Sequence, residues 1–379
     1  MVPVFGQIKS RPGMPVHTSM SSFSTMETMI LLGKNPQQLG ELTSSLNLPK
    51  FAARQLSDWL YKKHAASFEA MTNLSKAARS ALAGQATIGC SDPGSVAVST
   101  DGTKKYLFRA LAGAWIETAW IPDDERATLC LSTQAGCRMG CHFCATARQG
   151  FSGNLDAADI LNQYRSLPER DTVSNIVYMG MGEPLDNLEA VLASIRAFTE
   201  DWGLAMSPRR ITVSTCGILA PLRRLLDETE VHVALSLHNP FDEERAQLMP
   251  IARSQPLEPI LDLLRSYNWR GQRRLTLEYI LFDGYNDSED HFRQLVRLTR
   301  GLGDVRINLL RWNSVPGDDG VRGAPEETLE LFRDSLNDEG IIATIRRSRG
   351  GDIAAACGLL STARLRNAAD TAAPAADKE

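Results

Sequence analysis

From residue 128 onward the chain alternates short apolar runs with amphipathic stretches of helical period, and nothing else in it restricts the available folds as strongly. Strands fit 128–134, 174–180, 210–215, 231–237, 274–282 and 305–311; helices fit 156–167, 187–201, 218–228, 257–268, 288–302 and 325–339. Six strand-then-helix repeats predict an α/β fold, a parallel sheet with right-handed crossovers curved into a partial (β/α)6 barrel. Barrels of this kind collect their chemistry at the C-terminal ends of the strands.

Before the barrel the period changes twice. Over 26–92, Leu39, Leu42, Leu46, Leu56, Trp59, Leu60, Leu74, Ala78 and Leu82 recur at helical spacing, with Pro49 suited to a helix start. This predicts a small N-terminal helical accessory domain that contacts RNA. Over 93–124 the pattern shortens to alternation around Asp101-Gly102 and Ala112-Gly113, the signature of hairpins serving as a connector. Residues 125–365 then form the barrel and a C-terminal cysteine-bearing segment. A flexible extension is expected over 1–25 and a disordered tail over 366–379.

Composition excludes several classes. With 379 residues, 43% apolar and 23% charged, the chain can bury a large core, and no apolar run is long enough to span a bilayer. No basic-then-apolar leader opens it. Its seven cysteines are odd in number and gathered around one motif, which points to a reducing compartment, the cytoplasm, rather than a disulfide scaffold. A net charge of −4 does not mark a nucleic-acid binder by bulk charge. Basic residues nevertheless bunch at Lys104–Lys105, Arg209–Arg210, Arg223–Arg224, Arg273–Arg274 and Arg346, Arg347 and Arg349. Taken singly, such a pair is by default a solvated helix face or strand end.

Chemistry concentrates first in Cys137, Cys141 and Cys144, separated by three and two residues. Three thiolates so spaced grip three irons of a cubane and leave the fourth open for substrate chemistry. A zinc knuckle is the alternative; it needs a fourth ligand, and His142 sits between two thiols where its reach is poor. Phe143 is placed to shield such a cluster from water, or is an ordinary core aromatic. The next strand ends in Gly-Met-Gly-Glu, where Gly182 allows close approach and Glu183 can accept hydrogen bonds from an ammonium group. Ser214, Ser236-Leu237-His238 and Asn313 follow at later strand ends, an inventory suited to a ribose and an adenine edge. Cys357 lies among small residues after the last basic cluster, and Cys130 precedes the first thiol of the motif. These two are a second cofactor site, a dithiol pair or buried filler; Cys90 and Cys216 are read as filler. Glu117, in an apolar-flanked strand, is either a solvent-face residue or a carboxylate held near the site.

Six stretches together resemble the dual-specificity RNA methyltransferases that methylate C2 of adenosine: Leu131 to Cys137 with Cys141 to Cys144, Met179 to Leu185, Arg209 to Thr215, Leu235 to His238, Glu278 to Leu281, and Asp352 to Gly358. The likeness runs from about residue 35 to 362. It implies a radical S-adenosylmethionine enzyme acting on 23S rRNA and on tRNA beside the anticodon. Cys137, Cys141 and Cys144 would hold a [4Fe-4S] cluster. Gly182, Glu183, Ser214, Ser236, Leu237, His238 and Asn313 would bind S-adenosyl-L-methionine. Cys357 would carry the methyl group, Cys130 would resolve the product through a Cys130–Cys357 disulfide, and Glu117 would be the family's proposed base. An external electron donor such as a flavodoxin and a monomeric protein with no membrane association complete the expectation. The segment after Asn313 and the cysteine at 216 depart from familiar members. C8-methylating resistance enzymes share most of these stretches, and a metal-stabilised RNA-binding protein is the non-enzymatic alternative.

Overall fold

The computed structural model describes residues 28–269, 273–315 and 322–362. The expected flexible extension and tail lie outside these residues, as does part of the departing segment after Asn313.

One ten-stranded sheet organises the molecule, and its strands lie side by side in chain order. They are β1 (Ser95–Val98), β2 (Lys104–Arg109), β3 (Trp115–Asp123), β4 (Arg126–Cys130), β5 (Val173–Tyr178), β6 (Ile211–Thr215), β7 (His232–Ser236), β8 (Leu275–Ile280), β9 (Val305–Leu310) and β10 (Ile342–Arg346). Strands β1 to β4 pair antiparallel, and β4 to β10 pair parallel. The hairpins over 93–124 therefore extend the same sheet. The parallel part has seven strands, not the expected six, because Ile342–Arg346 adds to the far edge. That strand has only Ile342, Ala343 and Ile345 as apolar residues and exposes every second side chain, so it carries little hydrophobic signature. The first expected strand, 128–134, is also divided: β4 stops at Cys130 and a separate strand runs over Gln134–Gly136.

Successive side chains of a strand point to opposite faces, and the two faces here differ in chemistry. On the convex face Ile176, Val213, Val233, Leu235, Leu277, Ile307 and Leu309 are at most 1% exposed. They share one core with helices Ala157–Arg165, Leu188–Thr199, Leu219–Glu228, Leu257–Arg265, Glu289–Thr299 and Glu326–Asp338. Each Leu or Ile so buried contributes about 1.5–3 kcal/mol. The concave face carries Thr128, Asn175, Thr212, Ser214, His232, Ser236, Arg306 and Asn308, all half-buried. Such a polar lining cannot pack as a core, and it leaves the inside of the curved sheet available to ligands.

The accessory helices Pro36–Ser45, Ala52–Ser57 and Lys76–Gln85 pack on the outside of the barrel. Asn35 and Gln38 close the first of them with reciprocal 3.0 Å hydrogen bonds, and Ser75 caps the third. The Ser57 hydroxyl donates to the Trp202 carbonyl at 3.0 Å, Tyr61 meets the Trp202 ring edge-on at 5.1 Å, and the Arg165 guanidinium donates to the Ala65 carbonyl. No helix among the described residues is long and apolar enough to cross a membrane.

Candidate active site

The loop with the three clustered thiols leaves the top of β4 and is framed by its own two-stranded sheet, Gln134–Gly136 against Phe151–Asn154. Gly136 has φ +84°, and a Cβ there would stand 1.8 Å from the Gly150 carbonyl oxygen, so no other residue fits. Within the loop the N–H of Cys137 donates to the Gly150 carbonyl (3.2 Å), that of Cys144 to Cys141 (3.2 Å) and that of His142 to Leu248 (3.0 Å). Arg138 adds an ion pair to Asp186 (2.9 Å) while lying over the Phe151 ring (3.9 Å). Cys137, Cys141 and Cys144 all line a cleft enclosing about 1180 Å³ of space, part of it open to solvent. His142 does not line it, whereas Phe143 does, its ring edge-on to His238 at 4.8 Å. Burial pushes the Cys137 thiol up to about 12 and raises Cys141 too. Bound iron would reverse that balance, since a coordinating thiol is deprotonated outright.

The opposite wall comes from the tops of β5 to β8. Gly182 has φ +100°, and a Cβ there would sit 2.5 Å from that of Gln134. The bare glycine backbone thus closes the gap between two strand ends. Glu183 is 5% exposed; its carboxylate accepts from the N–H of Leu185 (3.0 Å) and of Cys216 (2.9 Å), and burial raises it above the usual carboxylate range despite these bonds. The Thr215 hydroxyl and the Cys216 thiol also interact with this carboxylate, which lines the cleft and can meet a cation there. Ser214, Ser236, His238 and Asn313 line the same cleft. His238 adopts φ +55°, and its Nδ1 accepts the Ile280 N–H at 3.1 Å, which leaves Nε2 as the ring donor. Burial lowers His238 to about 3, so the ring is neutral at physiological pH. Leu237 differs from its neighbours: its side chain is fully buried in the core, its N–H donates to the Glu278 carbonyl and its carbonyl accepts from Arg245. Arg245, itself fully buried, also binds the carbonyls of Cys216 (2.8 Å) and Ser236 (3.0 Å), tying two strand ends together.

The third wall is the segment that follows β10. Gly350 is left-handed and donates its N–H to Asp101 (2.9 Å). Asp352 accepts from the Ser99 hydroxyl (2.6 Å) and the Thr100 N–H (3.1 Å). The segment thus lies across the β1–β2 hairpin. It also crosses to the thiol loop, where the Ala145 N–H donates to the Gly358 carbonyl (2.7 Å) and the Thr146 hydroxyl to that of Leu360 (2.6 Å). These bonds present Cys357 at the cleft, exposed, with its carbonyl held by Asn313 (3.1 Å). Cys357 and Cys130 line one smaller cavity adjoining the cleft, and both are free thiols. The protein around each thiol raises it, and the Arg346 guanidinium opposes that rise in both.

Glu117 lines neither cavity. It is buried on β3, paired with Lys105 at 3.0 Å, and accepts the Ser361 N–H at 2.9 Å. In this arrangement it anchors the Cys357 segment. Two cleft residues, Cys216 and Glu278, stood out less in the sequence, while Arg346 belongs to a basic cluster noted there. Cys216, read as filler, is buried in the cleft wall. Glu278 and Arg346 line the cleft as well, Glu278 accepting from Asn308 at 2.8 Å. A carboxylate inside the apolar run 274–282 was the available signal for Glu278.

A curved parallel sheet whose first strand leads into a three-thiol loop, with a glycine-flanked buried carboxylate at the top of the next, defines the radical SAM class of enzyme. The family description "Radical SAM superfamily" matches residues 131–296, and "Ribosomal RNA large subunit methyltransferase N-terminal domain" matches 29–88. The chain is 48% identical over 334 residues to the probable dual-specificity RNA methyltransferase RlmN of Bacteroides fragilis, covering 88% of this chain and 96% of that one. It is 41% identical over 351 residues to the dual-specificity RNA methyltransferase RlmN of Halorhodospira halophila, covering 91% and 97%. The crystal structure of a radical SAM methyltransferase from Sphaerobacter thermophilus superposes with a TM-score of 0.82 at 38% identity, covering 88% of this chain and 99% of that one. The chain belongs to the RlmN-type dual-specificity RNA methyltransferases of the radical SAM superfamily.

Proposed function

We propose that the protein methylates C2 of an adenosine in 23S rRNA and in tRNA beside the anticodon, with Cys357 as the methyl carrier. The observation that carries this reading is the meeting of two sets of thiols. Cys137, Cys141 and Cys144 line a cleft that Cys357 also lines, and Cys130 shares the adjoining cavity. C2 lies between two electronegative nitrogens and is electrophilic, so it does not attack a sulfonium methyl group directly. With S-adenosylmethionine bound, a [4Fe-4S] cluster supplies a carbon radical by one-electron reductive cleavage, the chemistry this problem needs.

The residues fit that cofactor pair. Cys137, Cys141 and Cys144 line the cleft and would hold three irons of a cubane, and the buried carboxylate of Glu183 lines the same cleft, where it would receive an ammonium group. Gly182 offers bare backbone beside it. Ser214, Ser236, His238 Nε2 and Asn313 offer donors and acceptors to a sugar and a base. Cys357, as thiolate, accepts the methyl group and presents it across the cleft. Cys130, as thiolate, attacks the Cys357 sulfur and breaks its bond to the product carbon, which departs with that electron pair, and an external dithiol reduces the resulting disulfide to two thiols by exchange. Arg346 favours both thiolates. Glu117 is the family's proposed base; its pairing with Lys105 and Ser361 supports a positioning role for the Cys357 segment. The target base is extruded or taken from a loop into the cleft. A flavodoxin-like protein is the electron donor, and the enzyme acts as a cytoplasmic monomer.

Mass spectrometry of nucleosides tests the reading, after anaerobic incubation of cluster-loaded protein with S-adenosylmethionine, reductant and rRNA. 2-Methyladenosine formed by the native protein and lost on Cys357→Ala is the expected result. 8-Methyladenosine, or no methylated adenosine with an intact cluster, overturns it.

A further inference from the structure

Toward the N-terminal ends of the strands, away from the thiols, a second hollow opens that shares Arg346 with the cleft, and its charged groups are almost all of one sign. Arg209 and Arg210 precede β6, Arg273 and Arg274 precede β8, Arg306 lies near the start of β9, and Arg346 reaches the same space from β10. His232 heads β7 between them, and Asp304 is the one carboxylate among the described residues of the lining. The hollow encloses about 1160 Å³, part of it open to solvent.

Ordinary surface arginines find partners, and these largely do not. Among the described residues the ion pair from Arg273 to Glu230, at 4.0 Å, is the one such bond that any of the six makes. Arg273 is 7% exposed and its Nε meets no acceptor. The charges also bear on one another. Burial and the nearby Arg306 guanidinium hold Arg274 below its ordinary value; burial, Arg274, Arg209 and Arg273 lower His232. Like charges gathered in this way repel, and a multivalent anion relieves the repulsion. Planar guanidinium groups match phosphate oxygens two at a time. Among the described residues of the lining the one large aromatic, Trp269, offers no face to a base: it is 4% exposed and its indole N–H is bound to the Leu264 carbonyl at 2.7 Å. Thr128, Asn175 and Thr212 add only small polar groups. This chemistry recognises phosphates and ignores bases.

We propose that this arginine-lined hollow is a second phosphate-binding site, one that takes consecutive phosphates without reading sequence. Such phosphates come from an RNA backbone or from a free polyphosphate. The RNA arm rests on the RNA-methylating reading above; the polyphosphate arm does not, so the two can fail separately.

Arg209 and Arg274 are both exposed, which makes their replacement compatible with folding. The test compares native protein, Arg209→Ala/Arg274→Ala and the control Arg223→Ala, whose charge lies on helix Leu219–Glu228 outside the hollow, with thermal unfolding in chloride confirming that each is folded. Inorganic tripolyphosphate is titrated at constant ionic strength, and RNA affinity is measured across a salt series. Tripolyphosphate binding is expected to fall about tenfold or more in the double variant and not in the control. If RNA backbone is the source, the slope of log affinity against log salt also drops by about 1 for each arginine removed. Loss of tripolyphosphate binding with an unchanged RNA slope assigns the site to a free polyphosphate, and a lower slope alone assigns it to RNA. No change in either, or an equal change in the control, overturns the site.

Discussion

The thiol loop and the Cys357 segment face each other across one cleft, yet different forces hold them. The loop over 137–150 is bounded by two paired strands, turns on a glycine that nothing else can replace, and is stitched by its own backbone. The segment over 350–361 has no strand of its own and hangs on side-chain carboxylates: Asp101 of the first hairpin and Glu117 of β3 accept its backbone N–H groups, and its own Asp352 accepts from Ser99, 253 residues earlier. Backbone pairing gives rigidity that neither pH nor salt relaxes. Carboxylate clasps give a docked segment that can be released. That division suits the proposed roles, a loop that holds a cofactor constantly and a cysteine that is methylated, consumed and restored.

The largest effects should separate the two regions by what they abolish. Cys141→Ala should remove both iron content and methylated product, whereas Cys357→Ala should keep iron and lose product by at least about 10³-fold. Iron analysis and nucleoside mass spectrometry on the two variants read this directly; iron loss in both would break the distinction. Next, Gly136→Ala should lower stability by about 3 kcal/mol or more, from backbone strain and the collision with Gly150, measured as denaturant midpoint. Gly350→Ala, also left-handed but facing the side chains of Thr103 and Ala355, should cost about 1–2 kcal/mol. Equal losses would mean the segment is as rigid as the loop.

A smaller effect is expected from Asp352→Asn. It should leave the midpoint nearly unchanged while lowering kcat about tenfold, through misplacement of Cys357. The gentlest probe is acid. Hydrogen bonds from the Ser99 hydroxyl and Thr100 N–H hold Asp352 below its ordinary value. Burial alone would raise Asp101, yet the Gly350 and Thr103 bonds bring it below too. A folded value below the unfolded one adds stability above about pH 4 that is lost as pH falls. Corrected for the intrinsic exchange rate at each pH, amide exchange of residues 350–361 should therefore accelerate below about pH 4, before that of 134–136 and 151–154, in protein free of iron. Simultaneous acceleration would count against the carboxylate clasps.

Much of this arrangement was legible in the sequence, for reasons that also mark where legibility ends. The barrel helices were readable because each buries one stripe, and their ends fall within a few residues of those expected. Strand β10 was not, since an edge strand with alternate exposure has no continuous apolar run. The three thiols announce themselves by spacing alone. Leu237 shows the opposite case: with Ser236 and His238 facing the cleft, a period of two sends the residue between them into the core. Cys216 and Glu278 needed the third dimension, because only strand packing shows that they face the cleft.

The clasp between the Cys357 segment and the first hairpin also sets a schedule for how the enzyme comes into being. On a ribosome adding roughly 5–20 residues per second, Ser99 emerges some ten to fifty seconds before Asp352, the partner 253 residues away. The thiol loop and the strands before it therefore leave the ribosome while Cys357 is still unmade. Whatever is assembled in the cleft during that interval meets a protein with this wall missing, and the cleft is complete only once residues 350–361 have been made and docked.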